Sequence, residues 1–254
     1  MTAGVRPLLF AWQFLTAVPL SRAHHEPAPN ELAASMMWYP LVGMLLGGLL
    51  AWTDLLFTRW LSREITTVLL IVLLVAMTRG LHQDGLADTI DGLAGGRTPA
   101  DRLAIMRDPR IGAIGATGLF LSLILRYAAL LSLPEVVRFP ALLCMPAIGR
   151  WAMVAGAYGA SYARAEGGLA APFLAHLSLR HLIGSTVLVG CLLAWAFGMV
   201  HAIAVLVVGG ALSRLMTMFC QRLFGGVTGD TFGATNEVVE ISFLLSIPLI
   251  DPLR

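Results

Sequence analysis

Apolar runs close to twenty residues long recur along most of this chain, and that repetition limits the folds open to it more than any motif does. A helix rising 1.5 Å per residue needs about 20 apolar residues to cross roughly 30 Å of hydrocarbon, where each backbone polar group must be bonded within the span. With 57% hydrophobic and 13% charged residues among 254, an all-α, polytopic membrane helix bundle with about seven transmembrane segments is expected. The runs fall near 38–58, 65–80, 111–133, 139–160, 183–200, 202–219 and 237–250. They leave room for one integral membrane domain over 1–254 and no appended soluble one.

Features between the runs refine this picture. Pro7 to Leu20 is apolar but holds Gln13 and Pro19, and reads as an interfacial or short re-entrant helix, with a retained signal anchor as the alternative. Trp38, Tyr39, Trp52 and Trp60 suit the interfacial belt, and Gly43 with Gly47 would allow close helix contact. All seventeen basic residues are Arg, and a net charge of +2 argues against a nucleic-acid partner. Cys144, Cys191 and Cys220 are far apart in apolar runs, so neither a disulfide framework nor a zinc site follows. Arginine placement sets the orientation. Arg6, Arg22, Arg97, Arg102, Arg107, Arg110, Arg164, Arg180 and Arg222 fall on one side, against Arg59, Arg63, Arg138 and Arg254 on the other, so the richer side is expected to be cytoplasmic.

Three acids stand on that side at the end of an apolar run: Asp84, Asp88 and Asp91, at helical offsets of four and seven. Those offsets bring them within about 60° on one helix face. Carboxylates about 4 Å apart repel by roughly 4 kcal/mol at an effective dielectric near 20, so such a face needs cations or must take up protons. Mg²⁺ suits it, since it takes oxygen ligands, keeps waters and completes its shell with phosphate oxygens. A second arm runs from the glycine-rich Gly225-Gly226-Val227-Thr228-Gly229-Asp230 stretch into Asn236-Glu237-Val238-Val239-Glu240. Gly226, Thr228, Gly229 and Asn236 are read as substrate-binding, because glycine amides and a helix amino terminus can cradle phosphate. Asp230, expected in the loop, and Glu237 and Glu240 are read as further metal ligands; an acid placed as deep as Glu240 usually faces a polar cavity.

Between the arms, Arg102, Arg107 and Arg110 can pair with the oxygens of a diphosphate, while Asp108 either holds an arginine or joins the metal shell. Arg126, Arg150 and Arg214 lie within apolar runs and face the interior or snorkel; Arg150, beside Trp151, is expected to line a polar cavity, and pairing with an acid is equally open for Arg126 and Arg214. His82 sits about 160° around a helix from Asp84 and is read as a supporting, substrate-side group.

Taken together, the runs His82-Gln-Asp84-Gly-Leu-Ala-Asp88-Thr-Ile-Asp91-Gly92, Arg102-Leu-Ala-Ile-Met-Arg107-Asp108-Pro-Arg110-Ile-Gly112 and Gly225-Gly-Val-Thr228-Gly-Asp230 with Glu237-Val-Val-Glu240 resemble the cobalamin synthase, or adenosylcobinamide-GDP ribazoletransferase, family. The likeness extends to Phe14-Leu-Thr-Ala-Val-Pro19; Pro109 stands where that family usually carries a serine. The resemblance implies a Mg²⁺-dependent, multi-pass enzyme of the bacterial inner membrane with its site toward the cytoplasm. Its substrates would be adenosylcobinamide-GDP and alpha-ribazole or its 5'-phosphate, joined with release of GMP in vitamin B12 nucleotide-loop assembly. It also implies contact with membrane lipid and leaves room for a homo-oligomer. Rival readings from the residues are another membrane Mg-diphosphate enzyme, of the prenyltransferase or CDP-alcohol phosphotransferase type, and a cation-coupled transporter. The acids cluster at one interface rather than the midplane, which weighs against the transporter.

Overall fold

The computed structural model describes residues 5–20, 27–168 and 170–250, and within them every regular element is a helix. Arg22 and Arg254 of the orientation count lie outside the described residues. A short α1 (Val5–Leu15) and α2 (Pro29–Met36) precede the first long helix, α3 (Tyr39–Phe57). At 11 residues α1 is too short to cross hydrocarbon, in keeping with the re-entrant or interfacial reading.

The helix α4 (Arg63–Thr78) breaks at Arg79 and Gly80, both left-handed at φ 55° and 66°, and α5 (Leu81–Gly95) leaves at 88°. Glycine takes that backbone freely, whereas Arg79 does so at a cost. Its guanidinium offsets the cost by donating to the carbonyls of Thr16 at 3.0 Å and Gln13 at 3.4 Å. A small α6 (Pro99–Ile105) then leads into α7 (Ala113–Leu131), α8 (Glu135–Ala157), the short α9 (Ala171–Ala175), α10 (Leu179–Phe197), α11 (Met199–Phe224) and α12 (Gly229–Ile250).

Five helices are long and apolar enough to span a membrane, namely α3, α7, α8, α10 and α11, and the bent α4–α5 pair makes a sixth. The expected bundle is there with fewer crossings than about seven. The run 237–250 belongs to α12, which carries Asp230, Glu237 and Glu240 and packs between α5 and α8. Buried ion pairs, rather than apolarity alone, make that helix fit the bundle.

Helix α8 is the axis of the molecule, touching α3, α10, α11 and α12. Its contact with α3 is close at Gly43, where a Cβ would come 2.6 Å from the Ala147 Cα, and at Gly47, where one would come 2.8 Å from the Leu142 carbonyl, as the spacing of the two glycines predicts. Ser213 and Thr217 of α11 donate to the Ala152 and Gly156 carbonyls of α8 at 2.5 and 2.9 Å. At the end away from α5, the buried Arg138 guanidinium donates to Asp54 at 2.8 and 2.9 Å and to Thr67 at 3.0 Å. Arg138 is therefore a structural cation inside the bundle and not the loop charge assumed in the orientation count.

Candidate functional site

Helices α5 and α12 meet through glycine. A Cβ on Gly85 would come 2.6 Å from the Asp230 carbonyl and 2.9 Å from its Cα, and one on Gly233 would stand 3.2 Å from the His82 backbone. This approach brings Asp84 and Asp88 of the first arm beside Asp230 of the second. The helix begins at Gly229, so Asp230 lies in its first turn and not in a loop. Asp84 is exposed and Asp88 and Asp230 are half-buried; the Arg164 guanidinium, 3.3 Å from the Asp230 carboxylate, is the cation among them. The carboxylates of Asp84, Asp230 and Asp91 stand around Asp88, so like charge crowds it. A cleft lined by His82, Asp84, Tyr162, Arg164 and Asp230 opens here.

Asp91 shares their helix face but has other partners. Its carboxylate accepts from the backbone N–H groups of Gly112 and Gly115, each at 2.7 Å, and so caps the start of α7.

Behind the cleft is a sealed polar network. Arg126 of α7 donates to Glu240 at 2.6 Å and to Glu237 at 2.8 Å, and Arg150 of α8 pairs with Glu240. All four side chains are at most 1% exposed. Asn236 donates to Glu240 at 3.1 Å and to Glu237 at 3.3 Å, and Gln83 donates to Glu237 at 3.0 Å. Gly149 makes room, since a Cβ there would meet Asn236 and Glu240 side-chain atoms at 2.6 Å. Two guanidiniums against two carboxylates leave this cluster neutral, as burial demands. It corrects the expectation that Glu237 and Glu240 are open metal ligands, that Arg150 lines a substrate cavity, and that Asn236 faces a phosphate. Arg126 takes its interior, acid-paired alternative, whereas Arg214 is exposed on α11.

The remaining expected residues are scattered. Arg102 donates to the Gly96 and Leu223 carbonyls at 3.1 and 2.9 Å, pinning α6 to the end of α11 rather than reaching the cleft. Arg107 pairs with Glu166 on the surface, and Arg110 grips Asp108 at 2.7 Å with 87% of its side chain exposed. That grip holds the Asp108 carboxyl down at about 2. Gly226 is pressed against the Ser161 and Ala163 backbone beside a bridge between Tyr162 and Val227, so its missing side chain serves the packing of those two segments. Thr228 is buried and its hydroxyl accepts from the Thr231 N–H at 3.2 Å, so it caps α12. Gly229 has open space around it and lines the cleft. The sequence reading missed Tyr162 and Arg164 as groups at the cleft and Gln83 as a partner of Glu237; each is polar, but none has a spacing that reveals its contact.

Among the described residues no three His, Cys, Asp or Glu side chains stand close enough to hold an ion by themselves. The donor chemistry nevertheless fits Mg²⁺, a hard cation that binds through one or two carboxylates while water and substrate phosphates complete its shell. Asp88, crowded by like charges, is a carboxylate that a cation would relieve.

Fold and cleft together define a multi-pass helical membrane protein with an acidic cleft at one end of its bundle. By sequence the chain belongs to the cobalamin-5-phosphate synthase family, whose match covers residues 7–248. It is 42% identical to an adenosylcobinamide-GDP ribazoletransferase of Syntrophobacter fumaroxidans over 223 residues, 85% of this chain and 87% of that one. It is 37% identical to the enzyme of that name from Desulforamulus reducens over 97% of this chain and 98% of the relative, and 38% identical to that of Stutzerimonas stutzeri over 96% and 98%. No solved structure matches it significantly. The chain is thus a membrane transferase of the cobalamin pathway, acting in nucleotide-loop assembly.

Proposed function

We propose that the protein joins alpha-ribazole or its 5'-phosphate to adenosylcobinamide-GDP with release of GMP, in a Mg²⁺-dependent reaction at the cleft between α5 and α12. The observation that carries this reading is the meeting of Asp84 and Asp230 at one cleft through the Gly85–Asp230 contact, with Arg164 beside them and Asp88 one helical turn along α5 from Asp84. One or two of the carboxylates of Asp84, Asp88 and Asp230 would hold Mg²⁺ together with water and substrate phosphate oxygens, and the ion when bound neutralises diphosphate charge and the charge gathering on the leaving GMP. Arg164 offers a guanidinium to phosphate oxygens. The ribazole hydroxyl attacks the phosphorus that bears cobinamide; its O–P bond forms as the bond to the GMP oxygen breaks, and the hydroxyl proton passes to the water of the open cleft. Positioning and electrostatics supply most of the rate, as in other phosphoryl transfers.

The site is assigned to the cytoplasmic face of a bacterial inner membrane. Six alternating crossings put 27–38, 96–112, 158–178 and 225–228 on one side, with Arg97, Arg102, Arg107, Arg110, Arg164 and Arg222 at that end and Arg59 and Arg63 at the other. Purified protein given adenosylcobinamide-GDP, ribazole phosphate and Mg²⁺ should release GMP and cobalamin phosphate, without a transmembrane gradient, and should leave prenyl diphosphates and CDP-alcohols untouched. No GMP under these conditions, or turnover of a prenyl diphosphate instead, would overturn the reading.

A further inference from the structure

The sealed network dictates the hydrogen-bonding sense of the two residues before Asp84. Gln83 has its Nε2 3.0 Å from a Glu237 oxygen, and because a carboxylate only accepts, the amide nitrogen must face it. The Gln83 Oε1 is then a fixed acceptor, buried and without a partner among the described residues. His82 has Nδ1 3.4 Å from an Arg150 nitrogen. A guanidinium only donates, so Nδ1 presents its lone pair and the neutral ring carries its hydrogen on Nε2. That Nε2–H is buried and likewise without a partner.

These two unmatched groups belong to different clefts. His82 lines the cleft with Asp84, Arg164 and Asp230. Gln83 lines a second one, of about 540 Å³, beneath the α4–α5 bend, whose walls include Val75, Ala87, Ile111 and Leu119. Asp84 borders both, as do Phe14 and Leu81.

We propose that the two substrates reach Asp84 from these two sides. The phosphate-bearing nucleotide donor lies against His82 and Arg164, and the nucleoside acceptor occupies the second cleft. Its attacking hydroxyl is oriented by donation to Gln83 Oε1 before attack and gives its proton to cleft water as the O–P bond forms, because an amide oxygen accepts a hydrogen bond but takes no proton. This rests on the transfer reaction proposed above. Phosphate oxygens accept only, and they meet the Nε2–H and the guanidinium. The hydroxyl needs an acceptor and meets a carbonyl oxygen, while the mostly apolar wall suits an aromatic base. Approach from two sides also satisfies displacement at phosphorus, which sets the attacking and leaving oxygens roughly in line. Arg150 and Glu237 act here as positioning residues, through His82 and Gln83.

Two-substrate kinetics on the full-length protein test the assignment. Leu119→Trp, which narrows the second cleft away from the polar groups, should raise KM for ribazole phosphate about tenfold or more and leave KM for adenosylcobinamide-GDP within about twofold. His82→Gln, whose amide N–H can stand where Nε2–H stood, should keep KM for adenosylcobinamide-GDP near wild type, whereas His82→Phe should raise it about tenfold. In a background lacking the three native cysteines, Leu119→Cys should be shielded from maleimide by ribazole phosphate and not by adenosylcobinamide-GDP. A Leu119→Trp effect confined to the nucleotide donor, equal behaviour of the two His82 variants, or shielding by the donor alone would overturn the arrangement. A wild-type protein that releases no GMP would instead overturn the underlying reaction, which separates the two failures.

Discussion

Glu240 answers to two guanidiniums, those of Arg126 and Arg150, while Asp84 is exposed at the mouth of two clefts. The two acids should therefore fail in different ways. Asp84→Ala and Asp88→Ala should cost at least about 10²-fold in turnover while the purified protein melts near wild type, since a charged group at the reacting centre is lost without opening the core. Near-wild-type turnover of folded Asp88→Ala would remove it from the reacting set. Glu240→Gln leaves buried arginine charge unbalanced, and thermal unfolding should report a loss of about 3–5 kcal/mol. If that variant melts like wild type, the ion pairs do not hold the bundle. Asp91→Ala falls between these: loss of the cap on α7 should lower stability by about 1–2 kcal/mol.

At the scale of elements, the junction of α5 with α12 decides whether the two acidic arms cooperate. The Gly85 Cα lies so near the Asp230 backbone that an added methyl has nowhere to go, and the neighbour is main chain rather than a flexible side-chain end. Gly85→Ala should cost about 1–3 kcal/mol of stability and, by prising the helices apart, lower turnover by about 10²-fold. Gly229→Ala, at a position with open space, serves as the control and should stay folded. Equal turnover of Gly85→Ala and wild type would show that the close approach is not needed. Sequence periodicity made the α5 face legible, because Asp84, Asp88 and Asp91 repeat with the helix. It could not reveal that Asp91 caps α7, because that partner is 21 residues away along the chain.

At the scale of the whole molecule, the orientation can be read by labelling. In a background without Cys144, Cys191 and Cys220, cysteines at the exposed Arg110 and Glu166 should react from the cytoplasmic side, and cysteines at the exposed Trp60 and Val136 from the opposite side. Reaction of Arg110→Cys and Glu166→Cys from opposite sides would dismantle the single site. Labels at Gln83 or Thr231 would report burial instead, since both side chains are enclosed.

Hydropathy alone determined that this chain is a helical membrane bundle, because an unbonded peptide group in hydrocarbon costs several kcal/mol and leaves few ways to cross. Local motifs determined the family likeness and the acidic face of α5, because those signals repeat within one or two helical turns. The tertiary structure decided which charges face the cleft and which cancel inside. Glu237 and Glu240 read like Asp84 and Asp88 in one dimension, yet Arg126 lies more than a hundred positions before them. Only packing α12 against α7 and α8 brings those opposite charges within 3 Å, where low dielectric makes pairing compulsory.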